Sequence, residues 1–237
     1  MITVAGNSKR KLLVRFLRER DATHEGRLAE MREQAEVLRQ RVDVIWRLLL
    51  QSAATMGNSR GWKGLFGVSG DSMLSTLVAF DAVSAIRQDL RVSYIEPILQ
   101  TASVRMPRQK AERLAKNHTK ISELGGLAAT RKSAFDQPTR ELKIAFMKRF
   151  DGIGDKYARN VWMDLCDSHF RDSIAFDERL KKIAVAMGAR FERYEAAERY
   201  FVALASESGR EPWEVDRLLY HFNDDALDAI AAPVYPH

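Results

Sequence analysis

The chain has 237 residues, 46% apolar and 30% charged, with a single cysteine, Cys166. That composition supports one large domain or two small lobes with a real core, and it excludes a disulfide framework and a cysteine-rich zinc or iron–sulfur site. Thirty-eight Lys and Arg against 32 Asp and Glu give a net charge of +6, which favours a polyanionic partner without requiring one.

Helical periodicity dominates from the start. Residues 8–20 carry Leu12, Leu13, Phe16 and Leu17 on one side with six basic residues around them, and Ser8 can cap this helix. Its basic side is either a solvated surface or a DNA-contacting one. No apolar core and small-residue cleavage site follow Lys9, Arg10 and Lys11, so no secretory signal is read. A second helix is predicted over 25–54, from Leu28, Met31, Ala35, Leu38, Val42, Ile45 and Leu49 at three- and four-residue steps. The segment Met56-Gly-Asn-Ser-Arg-Gly-Trp-Lys-Gly-Leu-Phe-Gly67 holds four glycines in twelve residues, with Trp62 and Phe66 among them, and reads as a loop. Helices follow over 72–88, 91–102 and 107–124, the last ended by Gly125 and Gly126. Pro138 and Thr139 open a helix over 139–150, and another runs over 155–166 after a turn at Gly152 and Gly154. Three more are predicted over 177–187, 194–208 and 212–221, with Gly188 and Gly209 as stops for the first two, and Asp224 and Asp225 cap a last short helix. No strand alternation, repeat or low-complexity linker is present, so the fold class is all-α. Apolar runs such as 82–86 and 183–187 are too short to span a bilayer, which leaves a cytoplasmic protein, nucleoid-associated in a bacterium, as the expectation.

The most informative stretch is Phe150-Asp-Gly-Ile-Gly-Asp-Lys-Tyr-Ala158, between two amphipathic helices. Gly152 and Gly154 bracket Ile153 and permit a tight reversal, with backbone N–H groups pointing outward at the positive end of the next helix. That arrangement binds a phosphate without reading sequence. Lys148 and Arg149 precede the turn, Lys156 and Arg159 follow it, and Asp177 lies 21 residues after Lys156 at the start of another helix.

These residues resemble the helix-hairpin-helix (HhH-GPD) DNA glycosylase superfamily, which includes endonuclease III-like and 8-oxoguanine glycosylases. Gly152, Ile153, Gly154, Lys156 and Ala158 fall on its hairpin pattern, and Asp177 in Ile174-Ala-Phe-Asp-Glu-Arg-Leu falls on its aspartate. Arg105-Met-Pro-Arg-Gln-Lys-Ala-Glu-Arg-Leu looks like the superfamily's Arg-x-Lys-Ala segment. Leu48-Leu-Leu-Gln-Ser-Ala-Ala-Thr55 resembles the helix before its DNA-probing loop, so the likeness spans roughly residues 45–188. The departures are specific. Asp151 stands where proline is usual, Asp155 where a neutral or basic residue is common, and the stretch 167–176 holds neither glycine nor proline. No cysteine follows Gly188, so the iron–sulfur loop of endonuclease III-like members is absent.

The resemblance implies a base excision repair glycosylase acting on double-stranded DNA with a damaged base, as a monomer, with no membrane partner. It implies Lys156 as the nucleophile that forms a Schiff base, and Asp177 as the carboxylate that stabilises positive charge on the sugar. It implies DNA contacts from Gly152, Ile153, Gly154, Lys148, Arg149 and Arg159, and no cofactor beyond a monovalent cation at the hairpin. A flipped base must be replaced in the stack, and the candidates are Met56, Asn58, Arg60 and Trp62 in the glycine-rich segment; Trp62 and Phe66 read equally well as anchors to the core. Two lobes are expected, a central one over 45–165 with the hairpin at 151–155 and a terminal one of 1–44 plus 166–237, with an active-site cleft between them. Two alternatives stay open: a monofunctional glycosylase in which Asp177 activates water, and a helix-hairpin-helix DNA-binding protein without the chemistry.

Overall fold

A computed structural model describes residues 4–19, 21–55, 60–67, 70 and 72–232, and among these the chain is all-helical with no strand. In chain order the helices are α1 (Val4–Arg18), α2 (Ala22–Gln40), α3 (Val44–Thr55), α4 (Arg60–Phe66), α5 (Met73–Leu77), α6 (Phe80–Ser84), α7 (Arg91–Thr101), α8 (Pro107–Glu123), α9 (Gly126–Phe135), α10 (Arg140–Lys148), α11 (Asp155–Asp164), α12 (Glu178–Ala186), α13 (Tyr194–Ser208), α14 (Pro212–His221) and α15 (Asn223–Ala231). No helix of the described residues is long and apolar enough to cross a membrane. The chain divides into two compact units, a central one of Leu38–Val161 and a discontinuous one of Met1–Val37 with Trp162–His237.

In the central unit α3 is the buried spine, with Val44, Ile45, Trp46, Leu48, Leu49 and Leu50 all in the core. It packs on α4, α8 and α9, while α7 lies along α8. The indole of Trp46 donates to the Val78 carbonyl at 2.9 Å, so the one polar atom of a fully buried ring is satisfied. The single helix expected over 25–54 is in fact two. Asp43 interrupts it: its carbonyl accepts the Arg47 N–H, and its carboxylate takes both arms of Arg41 at 2.8 and 2.9 Å. Val42, which periodicity put on the apolar side, is 54% exposed in the turn. Likewise the helix expected over 72–88 is broken into α5 and α6, with Ser72 and Ser75 forming a reciprocal capping box at the start of α5.

The stretch predicted as a glycine-rich loop contains α4. Its glycines serve close packing. A Cβ on Gly64 would lie 2.1 Å from the Ala102 carbonyl oxygen, and one on Gly61 would lie 2.6 Å from that of Ala54. Only a helix without side chains on that face can approach two other backbones so nearly. α9 was not expected, because Gly125 and Gly126 read as a stop. Both have positive φ, +93° and +89°, and the chain turns there and resumes helix at once, burying Thr130 and Ala134.

In the discontinuous unit α1 packs on α13 and α15, and α12 on α14 and α15. Leu13, Leu17, Leu28, Ile183, Phe201, Leu204, Leu218 and Leu219 form its core. The buried Arg210 closes the end of α1: its guanidinium donates to the Leu17 carbonyl and, at 3.0 Å, to that of Glu19, and pairs with Glu25 at 2.9 Å. Those carbonyls have no partner within the helix itself. Trp162 is fully buried against Phe170, and Trp213 donates to the Met163 carbonyl at 2.8 Å, so both rings are core. Cys166 is half-buried and has φ +49°.

Candidate active site

Phe146, Phe150 and Ile153 are buried and anchor the hairpin between α10 and α11, and Ile153 N–H closes the turn onto the Phe150 carbonyl at 3.2 Å. Gly152 has φ +87°, a region that side-chain-bearing residues rarely adopt. A Cβ on Gly154 would meet nothing within 4 Å, so the outer side of the turn is open.

Two residues of α8 hold this turn. Asn117, 2% exposed, accepts the Asp151 N–H on Oδ1 at 2.7 Å and donates Nδ2 to the Asp151 carbonyl at 3.1 Å. Lys120 donates to the Arg149 carbonyl at 2.8 Å and pairs with the Asp151 carboxylate at 2.5 Å. Asp151 therefore does what proline could not: its N–H and its side chain are both used to tie the hairpin down.

The predicted cations around the turn are differently employed. Lys148 pairs with Asp155 at 2.8 Å, and that pairing pulls the Asp155 carboxyl below its ordinary range. The Arg149 guanidinium lies over the Phe146 ring at 5.5 Å, and Arg159 reaches back to the Asp155 carbonyl at 3.3 Å. Lys156 is half-buried in the first turn of α11, with Nζ 5.6 Å from the Tyr157 ring centre. Gly152, Ile153, Gly154, Lys148, Arg149 and Lys156 are thus gathered in and beside one turn of the central unit.

Asp177 belongs to the discontinuous unit and caps α12. Its backbone is extended, and Oδ1 accepts both the Arg179 N–H at 2.9 Å and the Leu180 N–H at 3.1 Å. The approach to it, residues 171–177, has no regular structure, and side-chain and backbone groups of α13 and α14 hydrogen-bond to it. Tyr194 Oη donates to the Ile174 carbonyl at 2.9 Å and accepts the Phe176 N–H at 3.3 Å. Asp216 Oδ1 accepts the Ala175 N–H at 2.8 Å, and the backbone N–H of Trp213 donates to the Arg171 carbonyl at 2.9 Å. Asp216 is buried beside Arg217, which also pairs with Asp164 at 3.0 Å. Burial pushes the Asp216 carboxyl up to about 6, with Arg217 opposing the rise.

Of the residues predicted to probe the duplex, Met56 and Asn58 lie outside the described residues. Arg60 is exposed on the first turn of α4, in a helix rather than a loop. Trp62 stacks on the buried Phe66 at 4.1 Å between ring centres, with Arg47 4.7 Å from Phe66. Phe66 is an anchor to the core. Among the described residues no three His, Cys, Asp or Glu side chains are grouped to hold a metal ion.

No protein-family model matches the chain, and no curated protein matches it in sequence. Among solved structures it matches the crystal structure of the 8-oxoguanine DNA glycosylase of Thermotoga maritima, with a TM-score of 0.61 at 17% identity, over 92% of this chain and 96% of that one. The chain has that enzyme's fold.

Asn117, Lys120, Tyr194, Asp216 and Arg217 were not anticipated. Two of them left a local trace: Trp213-Glu-Val-Asp-Arg-Leu-Leu219 places the adjacent charges Asp216 and Arg217 within an apolar helix run, which signals a buried polar role.

Proposed function

We propose that this chain is a DNA N-glycosylase of base excision repair that also cleaves the strand at the resulting site, with Lys156 as nucleophile and Asp177 as its carboxylate. The observation that carries the reading is the placement of these two groups, Lys156 just after an open glycine turn and Asp177 at a helix cap, in a chain that shares a DNA glycosylase's fold over 92% of its length.

Each part of the arrangement fits a step. The open side of Gly154 and the first amides of α11 suit a backbone phosphate. Capping engages Asp177 Oδ1 in two bonds, and Oδ2 is the oxygen assigned to the sugar. As the C1′–N bond breaks, the electron pair leaves with the base and positive charge develops on the sugar, which a fixed carboxylate stabilises. The neutral Lys156 amine then bonds to C1′ and loses a proton; the C1′–O4′ bond breaks as O4′ takes up a proton, and the nitrogen lone pair completes a Schiff base on the opened sugar. Loss of the C2′ proton breaks the C3′–O bond, expels the 3′ phosphate and cuts the strand. Both side chains must act on one extruded nucleotide.

Borohydride trapping on a duplex with an abasic site tests the reading. A covalent adduct that disappears in Lys156→Gln is expected, together with loss of base release in Asp177→Asn. Base release without any adduct would make Asp177 an activator of water instead, and no release from any lesion would leave a DNA-binding protein. Duplexes bearing oxidised purines are the first to screen, because the fold match is to an 8-oxoguanine glycosylase.

A further inference from the structure

We infer that Asp216 is a positioning residue for Asp177: it fixes the backbone that delivers that carboxylate to the reaction. The inference rests on the glycosylase reading above and adds to it a residue that never touches DNA.

Residues 173–177 form neither helix nor turn, so while the first amides of α12 hold Asp177 from one side, no regular structure holds the chain that leads into it from the other. Three consecutive residues before it are instead gripped from outside, Ile174 and Phe176 by Tyr194 and Ala175 by Asp216. The Asp216 bond is the most enclosed of these, between a buried donor and a side chain only 4% exposed. Burying that carboxylate is costly. One cation, Arg217, stands between two acids, 3.0 Å from Asp164 and 3.6 Å from Asp216. An apolar residue of similar size would pack on α14 without that cost. What Asp216 adds, and an apolar residue could not, is an acceptor aimed at the amide two residues before Asp177. An error of about 1 Å in such a group costs on the order of 10²-fold in rate.

The experiment follows base release by the full-length protein on a lesion-bearing duplex, in wild type and in Asp216→Leu, Asp216→Asn and Tyr194→Phe. Asp216→Leu, of similar size but lacking an acceptor, is expected to lower kcat by on the order of 10²-fold with KM nearly unchanged. Amide exchange at Ala175 speeds up in the same variant. Asp216→Asn keeps an oxygen facing Ala175 and is expected to return kcat to within about threefold of wild type. If Asp216→Leu does not fold, Tyr194→Phe removes the flanking grip while keeping the ring, and is expected to lower kcat about tenfold. Undiminished kcat in Asp216→Leu, or in Tyr194→Phe where the leucine variant fails to fold, overturns this inference alone, as does an equal loss in Asp216→Asn and Asp216→Leu. No base release by wild type on any lesion overturns the glycosylase reading, and this inference with it.

Discussion

Replacing Asn117 by leucine removes the two hydrogen bonds that hold the backbone of Asp151, one at 2.7 Å and one at 3.1 Å. The substitution keeps the size of the side chain and its place in the core, so little cavity is made. Each backbone group left without a partner costs about 1–3 kcal/mol. Asp151 is half-buried and water reaches part of it, which puts the sum at the lower end, about 2–4 kcal/mol. For a chain of this length that lowers Tm by roughly 5–12 °C. Urea unfolding followed by tryptophan fluorescence reads the loss directly, and binding of an undamaged duplex at low salt reads the hairpin. Affinity should fall with stability, because the turn that Asn117 braces is the one assigned to the phosphate. A loss smaller than about 0.5 kcal/mol, the size of an ordinary surface change, would refute the claim that Asn117 holds the hairpin.

Three other outcomes are expected. Gly64→Ala, whose Cβ would meet the Ala102 carbonyl at 2.1 Å, should push α4 off its neighbours and cost about 3 kcal/mol in urea unfolding, against a few tenths of stabilisation if the helix stood free. Asp155→Asn releases Lys148 from its 2.8 Å pair and removes a negative charge beside the turn proposed to take a phosphate; on that proposal duplex affinity should rise and the plot of log K against log salt should steepen by up to about one ion. Asp216, held at about 6 when folded and near its ordinary value of about 3.9 when unfolded, binds more protons in the folded state between those values, so its contribution to stability is full below about pH 4 and is lost as pH rises through 6. Comparing wild type with Asp216→Asn in urea across pH 4–7 should expose a slope worth on the order of 3 kcal/mol that only wild type has.

Local signals carried much of the fold. α13 ends at Gly209 and α14 begins at Pro212, and Thr139 and Asp177 cap α10 and α12 as their side chains dictate. Periodicity failed where a short turn resets its phase, as at Asp43, and where glycine served packing between backbones instead of a turn, as at Gly61 and Gly64. The same division holds for the site. Lys156 and the turn before it are a contiguous motif and could be read directly. Asn117 and Asp216 act on backbone 34 and 41 residues away, and no pattern along the chain encodes which amide a buried side chain will meet.

The discontinuous unit has a consequence for how the chain is made. Lys9 and Arg10 on α1 bond to Ala186 and Glu207, and the carbonyls at the end of α1 wait for Arg210. On a ribosome adding about 5–20 residues per second, α1 emerges ahead of those partners and goes without them for roughly 10–40 s. Leu13 and Leu17, fully covered in the finished protein, stay uncovered for that interval while the contiguous central unit can already assemble. Nascent chains stalled after the central unit should therefore recruit chaperones through α1, and release them once the segment bearing Arg210 has emerged.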